Sequence, residues 1–118
     1  MKFKIAVVQF EIKQFSPKDN LKKAEEFVKK ASFSKANIIV FPEDFVTGPI
    51  AGKLEFADSE NKYRKFFQNL AKKYKIDIVP GSIIEKDKLG FYNTTYYIDS
   101  SGKIKSRYRK INLWHPEK

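Results

Sequence analysis

Glu43 and Asp44 stand side by side in "NIIVFPEDFVTG" (residues 37–48), directly after an apolar run and a proline. Acids in that place are either surface punctuation or a site. A carboxylate held at a strand end can take a proton from a nucleophile and later from water, provided its surroundings keep it basic enough. The other chemistry-bearing groups gather near residue 118. Arg107, Arg109 and Lys110 form the one dense basic cluster, and His115 and Glu117 follow within eight residues. Judged by its neighbours alone, Lys110 is one more surface lysine. The 118 residues contain no cysteine, which excludes disulfides, thiolate metal sites and a cysteine nucleophile among them. A single histidine does not make a His-rich metal site, and no metal or organic cofactor is implied.

These groups need elements to position them. "FKIAVVQFEI" reads as a strand whose Ile5-Ala6-Val7-Val8 run suggests burial on both faces. Ser16 is a candidate N-cap, Pro17 suits a first helical position, and Asp19 completes an S-x-x-D pattern. Leu21, Ala24, Val28 and Ala31 then form one apolar stripe on a helix. "NIIVF" is a second buried strand, so the first forty residues predict a βαβ unit with parallel strands and a right-handed crossover. Residues 48 to 57 read as loop. "SENKYRKFFQNLAKKYK" carries Tyr63, Phe66, Phe67, Leu70 and Ala71 at helical spacing, as core. "IDIVPGSIIE" is a strand interrupted at Pro80-Gly81, and "FYNTTYYID" with "KIKSRYRKINLW" reads as a hairpin around a glycine turn.

Composition limits the class. A hydrophobic content of 42% with eleven phenylalanines suits one folded domain. No apolar run approaches the roughly 20 residues of a membrane span, and the basic, apolar start is too short and too interrupted for a secretory leader. The cytoplasm is the default compartment. The net charge of +10 raises the possibility of nucleic acid, because such charge attracts phosphates. Most of the lysines, however, alternate with acids on the polar faces of the two helices, as on a solvated surface. On an alternating strand Arg107 and Arg109 would also share one face while Lys110 takes the other, and a phosphate patch would need them together.

The order strand, helix, strand ending in "FPED", helix, strand ending in "PGS", hairpin and "YRKINLW" resembles the nitrilase superfamily of carbon–nitrogen hydrolases. The words "KIAVVQF", "ANIIVFPEDFVTG", "VPGSIIEK", "YNTTYYIDSSGKI" and "YRKINLWHPEK" carry the likeness over essentially the whole chain. The resemblance implies an α/β fold, the N-terminal part of an αββα sandwich, with residues 1–118 as a partial domain. It also implies a Glu-Lys-Cys catalytic set. The glutamate falls on Glu43 and the lysine on Lys110, with Glu117 as a possible supporting acid. The cysteine falls outside these residues. The implied reaction is hydrolysis of a small-molecule amide, carbamoyl amine or nitrile, by a homo-oligomer in the complete enzyme.

Other readings stand beside this one. Asn93 reads as structural, hydrogen-bonding buried backbone where the hairpin begins. Asp44 would point away from Glu43 if the backbone stayed extended, and it is given no catalytic role. Trp114 and His115 either border a pocket or serve as core and surface residues. The missing cysteine suits a truncated copy, a short protein completed by another chain, or a non-catalytic binding and assembly module of the same fold. The rival from another class is a basic nucleic-acid-binding α/β domain. With helices on one face only, the opposite face of the sheet should be apolar and the hairpin edge unpaired.

Overall fold

Two helices cover one face of a mixed sheet in the computed structural model, which describes residues 2–50 and 52–110. The strands are β1 (Ile5–Val7), β2 (Ile38–Val40), β3 (Asp77–Val79), β4 (Ile83–Asp87), β5 (Gly90–Ile98) and β6 (Ile104–Arg109). The helices are α1 (Pro17–Phe33) and α2 (Lys62–Tyr74), and a short 3-10 turn, Leu54–Phe56, interrupts the loop before α2. β1 pairs with β2 and β2 with β3, both parallel, with Ile5 opposite Ile38 and Ile38 opposite Asp77. Helices connecting parallel neighbours make this the βαβ pattern read from the sequence, and the α/β fold is as expected.

Pro80 and Gly81 divide what reads as one strand into β3 and β4. Both lie antiparallel along the same edge of β5, with Ile78 opposite Ile98 and Ile83 opposite Thr94. β6 takes the other edge of β5, which completes the hairpin. A proline lacks the amide a ladder needs, so the break falls where the sequence places it.

The core lies between the helices and the sheet. Ala24, Val28 and Ala31 of α1 and Phe67, Leu70 and Ala71 of α2 are buried against Ile39, Ile78, Tyr96 and Ile98. Tyr63, Phe66 and Leu21 pack at its margin. Asp58 caps α2, accepting the Lys62 amide at 2.9 Å and the Tyr63 amide at 2.8 Å. α1 starts differently from the expectation. The Ser16 side chain makes no cap bond, and Asp19 pairs across the turn with Lys13 at 3.7 Å. Pro17 at the first helical position is enough to set the entry.

The N-terminal strand also departs from its expectation. The ladder covers only Ile5–Val7, at the edge of the sheet, with Ile5 56% and Val7 74% exposed. Alternation places Ala6 toward the helices and leaves Ile5 and Val7 on the uncovered face. An apolar run in an edge strand therefore contributes one buried face. Phe3 is exposed beside it. Among the described residues no helix is long and apolar enough to cross a membrane.

Candidate active site

The "FPED" corner is held from three directions. The β2 ladder continues past the strand, with the Phe41 amide donating to the Val79 carbonyl at 2.9 Å. Phe41 and Phe45 are both buried, their rings 4.8 Å apart, so the chain is anchored on either side of Glu43. Asn20 of α1, also buried, donates from its side chain to the Val46 carbonyl at 2.8 Å. Pro42 lies between the first anchor and Glu43. The result is a turn with an apolar underside and a carboxylate on top.

Lys110 follows β6 directly. Its amide donates to the Asn93 carbonyl at 2.9 Å, extending the hairpin ladder by one residue. The ladder pairs Arg109 with Thr94 and Arg107 with Tyr96, so alternation puts both arginines on the helix side and Lys110 on the uncovered face. There the Lys110 ammonium group donates to Glu43 Oε1 at 3.0 Å. The two residues are 67 positions apart in the sequence. The lysine side chain is 33% exposed and the glutamate 56%. A pair this open stabilises a fold by at most about 1 kcal/mol. It remains accessible to a small molecule.

Asp44 does not continue the extended backbone. It adopts φ +52°, turns inward and is buried. Its amide donates to Ser82 Oγ at 3.0 Å, Ser82 Oγ donates back to Asp44 Oδ1 at 3.0 Å, and Asn93 Nδ2 donates to the same oxygen at 3.4 Å. The expectation that Asp44 points away from Glu43 in an extended chain is thus replaced by a left-handed turn, which aspartate tolerates better than most residues. Asn93 is buried as a structural residue would be, but its side chain serves a carboxylate. Ser82 received no role from the sequence. Its place after Pro80-Gly81, level with a strand-end acid, is the only signal that could have found it.

The arginines belong to different surroundings. Arg109 pairs with Asp87 at 3.2 Å, and its guanidinium group stacks 3.8 Å above the Tyr92 ring. Arg107 and Arg109 help to line a cavity of about 610 Å³ with Arg64, Glu85, Asp87 and Tyr96. Burial pushes the Tyr96 hydroxyl up to about 12, helped by its hydrogen bond to Glu85. Neither Glu43 nor Lys110 lines that cavity, so the dense basic cluster of the sequence is split between two faces. Among the described residues no three histidine, aspartate or glutamate side chains gather to hold a metal. Glu117, Trp114 and His115 lie outside the described residues.

Comparison with known proteins bears on this arrangement. The family model described as carbon-nitrogen hydrolase matches residues 4–118. A 2-oxoglutaramate amidase from Bacillus subtilis is 37% identical over 116 residues, which cover 97% of this chain and 44% of that protein. An omega-amidase from Xenopus laevis is 33% identical over 116 residues, 96% of this chain and 41% of that protein. Among solved structures, a mutant of the amidase from Nesterenkonia sp. AN1, with acrylamide added to its active-site cysteine, superposes with a TM-score of 0.87 at 22% identity. That match covers 98% of this chain and 47% of the other. At that identity the likeness is one of fold. The chain spans less than half the length of these relatives.

Proposed function

The chain belongs to the carbon–nitrogen hydrolase family, and we propose that it carries the acid and the ammonium group of an amidase site whose thiol lies outside these 118 residues. The observation that carries this reading is the 3.0 Å hydrogen bond from Lys110 to Glu43, made on an open face by residues on separate elements.

An amide carbon is a poor electrophile, and a thiolate attacks it better than a thiol. In the proposed sequence Glu43 takes the proton from the thiol as sulfur bonds to the carbonyl carbon, and negative charge moves to the carbonyl oxygen. The Lys110 ammonium group, already 3.0 Å from the base, stabilises that charge. Collapse breaks the carbon–nitrogen bond, Glu43 returns the proton to the leaving ammonia, and a thioester remains. Water then attacks the thioester while Glu43 takes its proton. The carboxylic acid leaves and the thiol is re-formed. The relatives named 2-oxoglutaramate amidase and omega-amidase support a small non-peptide amide as substrate, with nitriles and carbamoyl amines as the alternatives.

The test is ammonia release from 2-oxoglutaramate and from simple aliphatic amides by a protein that combines this sequence with a cysteine-bearing partner segment. Turnover that survives Glu43→Gln undiminished removes the assignment. A second reading is a non-catalytic binding and assembly module of the same fold. It predicts no turnover in any such combination. The nucleic-acid reading loses the basic cluster as a phosphate patch, because Arg109 is engaged by Asp87 and Tyr92 on the face opposite Lys110.

A further inference from the structure

We infer that Asn93 is a positioning residue for the Glu43–Lys110 pair, tying the two elements together through Asp44; the inference rests on the site proposed above. Glu43 and Lys110 carry flexible side chains on separate segments, and both are partly open to water. Their separation has to be set from beneath. Asn93 reaches both segments at once. Its carbonyl accepts the Lys110 amide at 2.9 Å, which fixes the root of the lysine. Its side-chain amide donates to Asp44 Oδ1 at 3.4 Å, and Asp44 is joined to Glu43 by one peptide bond. Ser82 steadies the same carboxylate and the Asp44 amide, each at 3.0 Å.

The burial pattern supports this role. Asn93 and Asp44 are 5% and 6% exposed, whereas the pair above them is open. A buried carboxylate is costly to desolvate. An apolar residue at position 44 would avoid that cost, but it could not accept from Ser82 and Asn93. The left-handed backbone at Asp44 adds to the strain. Together these features give up stability to hold a corner in one conformation.

The experiment reads the pair without any substrate. The Lys110 ammonium protons of the 15N-labelled chain exchange with water more slowly while they are bonded to Glu43, and Glu43→Ala, which removes the acceptor, supplies the reference without that bond. Asn93→Ala should speed that exchange roughly threefold, within what a half-exposed ion pair can contribute. Asp44→Gly keeps the left-handed turn and removes the carboxylate, and it should do the same. Asp44→Asn retains an acceptor oxygen and tolerates the turn, so it should restore slow exchange. Val28→Ala, in the core under α1, lowers stability without touching the corner and should leave the exchange unchanged. Wild-type exchange in Asn93→Ala overturns the inference, as does an equal acceleration in Val28→Ala. Because no turnover is measured, failure of the amidase reading leaves this result intact.

Discussion

Gly81 lies against Pro42 so closely that a Cβ on the glycine would sit 1.9 Å from the Pro42 carbonyl oxygen. Gly81 also has φ +81°, a conformation that side-chain-bearing residues rarely adopt. The break between β3 and β4 thus supports the corner that presents Glu43, and Thr95 fastens it from β5 by donating to the Gly81 carbonyl at 2.5 Å.

Gly81→Ala should therefore cost about 3–5 kcal/mol, because the overlap is with backbone and cannot be relieved by a side-chain rotation. Chemical denaturation measures it. Gly52→Ala is the control: its φ is +85°, but no atom lies within 4 Å of the added Cβ. It should lose about 1 kcal/mol from backbone strain alone.

Activity and stability should separate at the ion pair. Lys110→Met and Glu43→Gln are expected to change unfolding free energy by less than about 1 kcal/mol. In a turnover-competent assembly, losing the base should slow hydrolysis by about 10²–10⁴-fold. Losing the cation should slow it by about 10²–10³-fold. Paired thermal melts and ammonia-release assays decide this. A large stability loss with little rate loss would make the pair structural.

The uncovered sheet face should make the 118-residue chain self-associate. Phe3, Ile5 and Val7 are exposed together at one edge, and among the described residues nothing pairs with the outer edges of β1 and β6. Sedimentation velocity should show concentration-dependent oligomers, and Ile5→Lys combined with Val7→Lys should shift them toward monomer. A wild-type chain that stays monomeric at high concentration would contradict this.

The hairpin leading to Lys110 should loosen in acid. Asp99 accepts from the Ser101 hydroxyl at 2.6 Å and from the Ser101 and Lys103 amides, which lowers its pKa to about 2. The ordinary aspartate value is about 3.9. A pKa depressed in the folded state means stabilisation that is fully present above the unfolded value and lost as pH falls toward 2. Protection of the Ser101 and Lys103 amides relative to their intrinsic exchange rates, measured between about pH 5 and pH 2, should fall more steeply than at other turns. Asp99→Asn should remove that extra pH dependence.

Much of this protein is legible in local pattern. The stripe of Ala24, Val28 and Ala31, the break at Pro80-Gly81 and the alternation that separates Arg107 and Arg109 from Lys110 all follow from periods of 3.6 and 2 and from the missing proline amide. Those rules act over a few residues, so the order of letters is enough. Local pattern left other matters open. It could not say that Ile5 and Val7 lie at an edge, since burial depends on which strand pairs alongside. It gave no reason for Asp44 to turn left-handed, because Ser82 and Asn93, which donate to its carboxylate, lie 38 and 49 positions away. Nor could it bring Glu43 to Lys110. That distance is set by the sheet, in which β2 and β6 are separated by the β3–β4 line and β5. Residue types and spacing determined which groups were present and which face of its own element each would occupy, because neighbouring backbone geometry decides that. The meeting of those groups is a property of packed elements, and only the tertiary structure decided it.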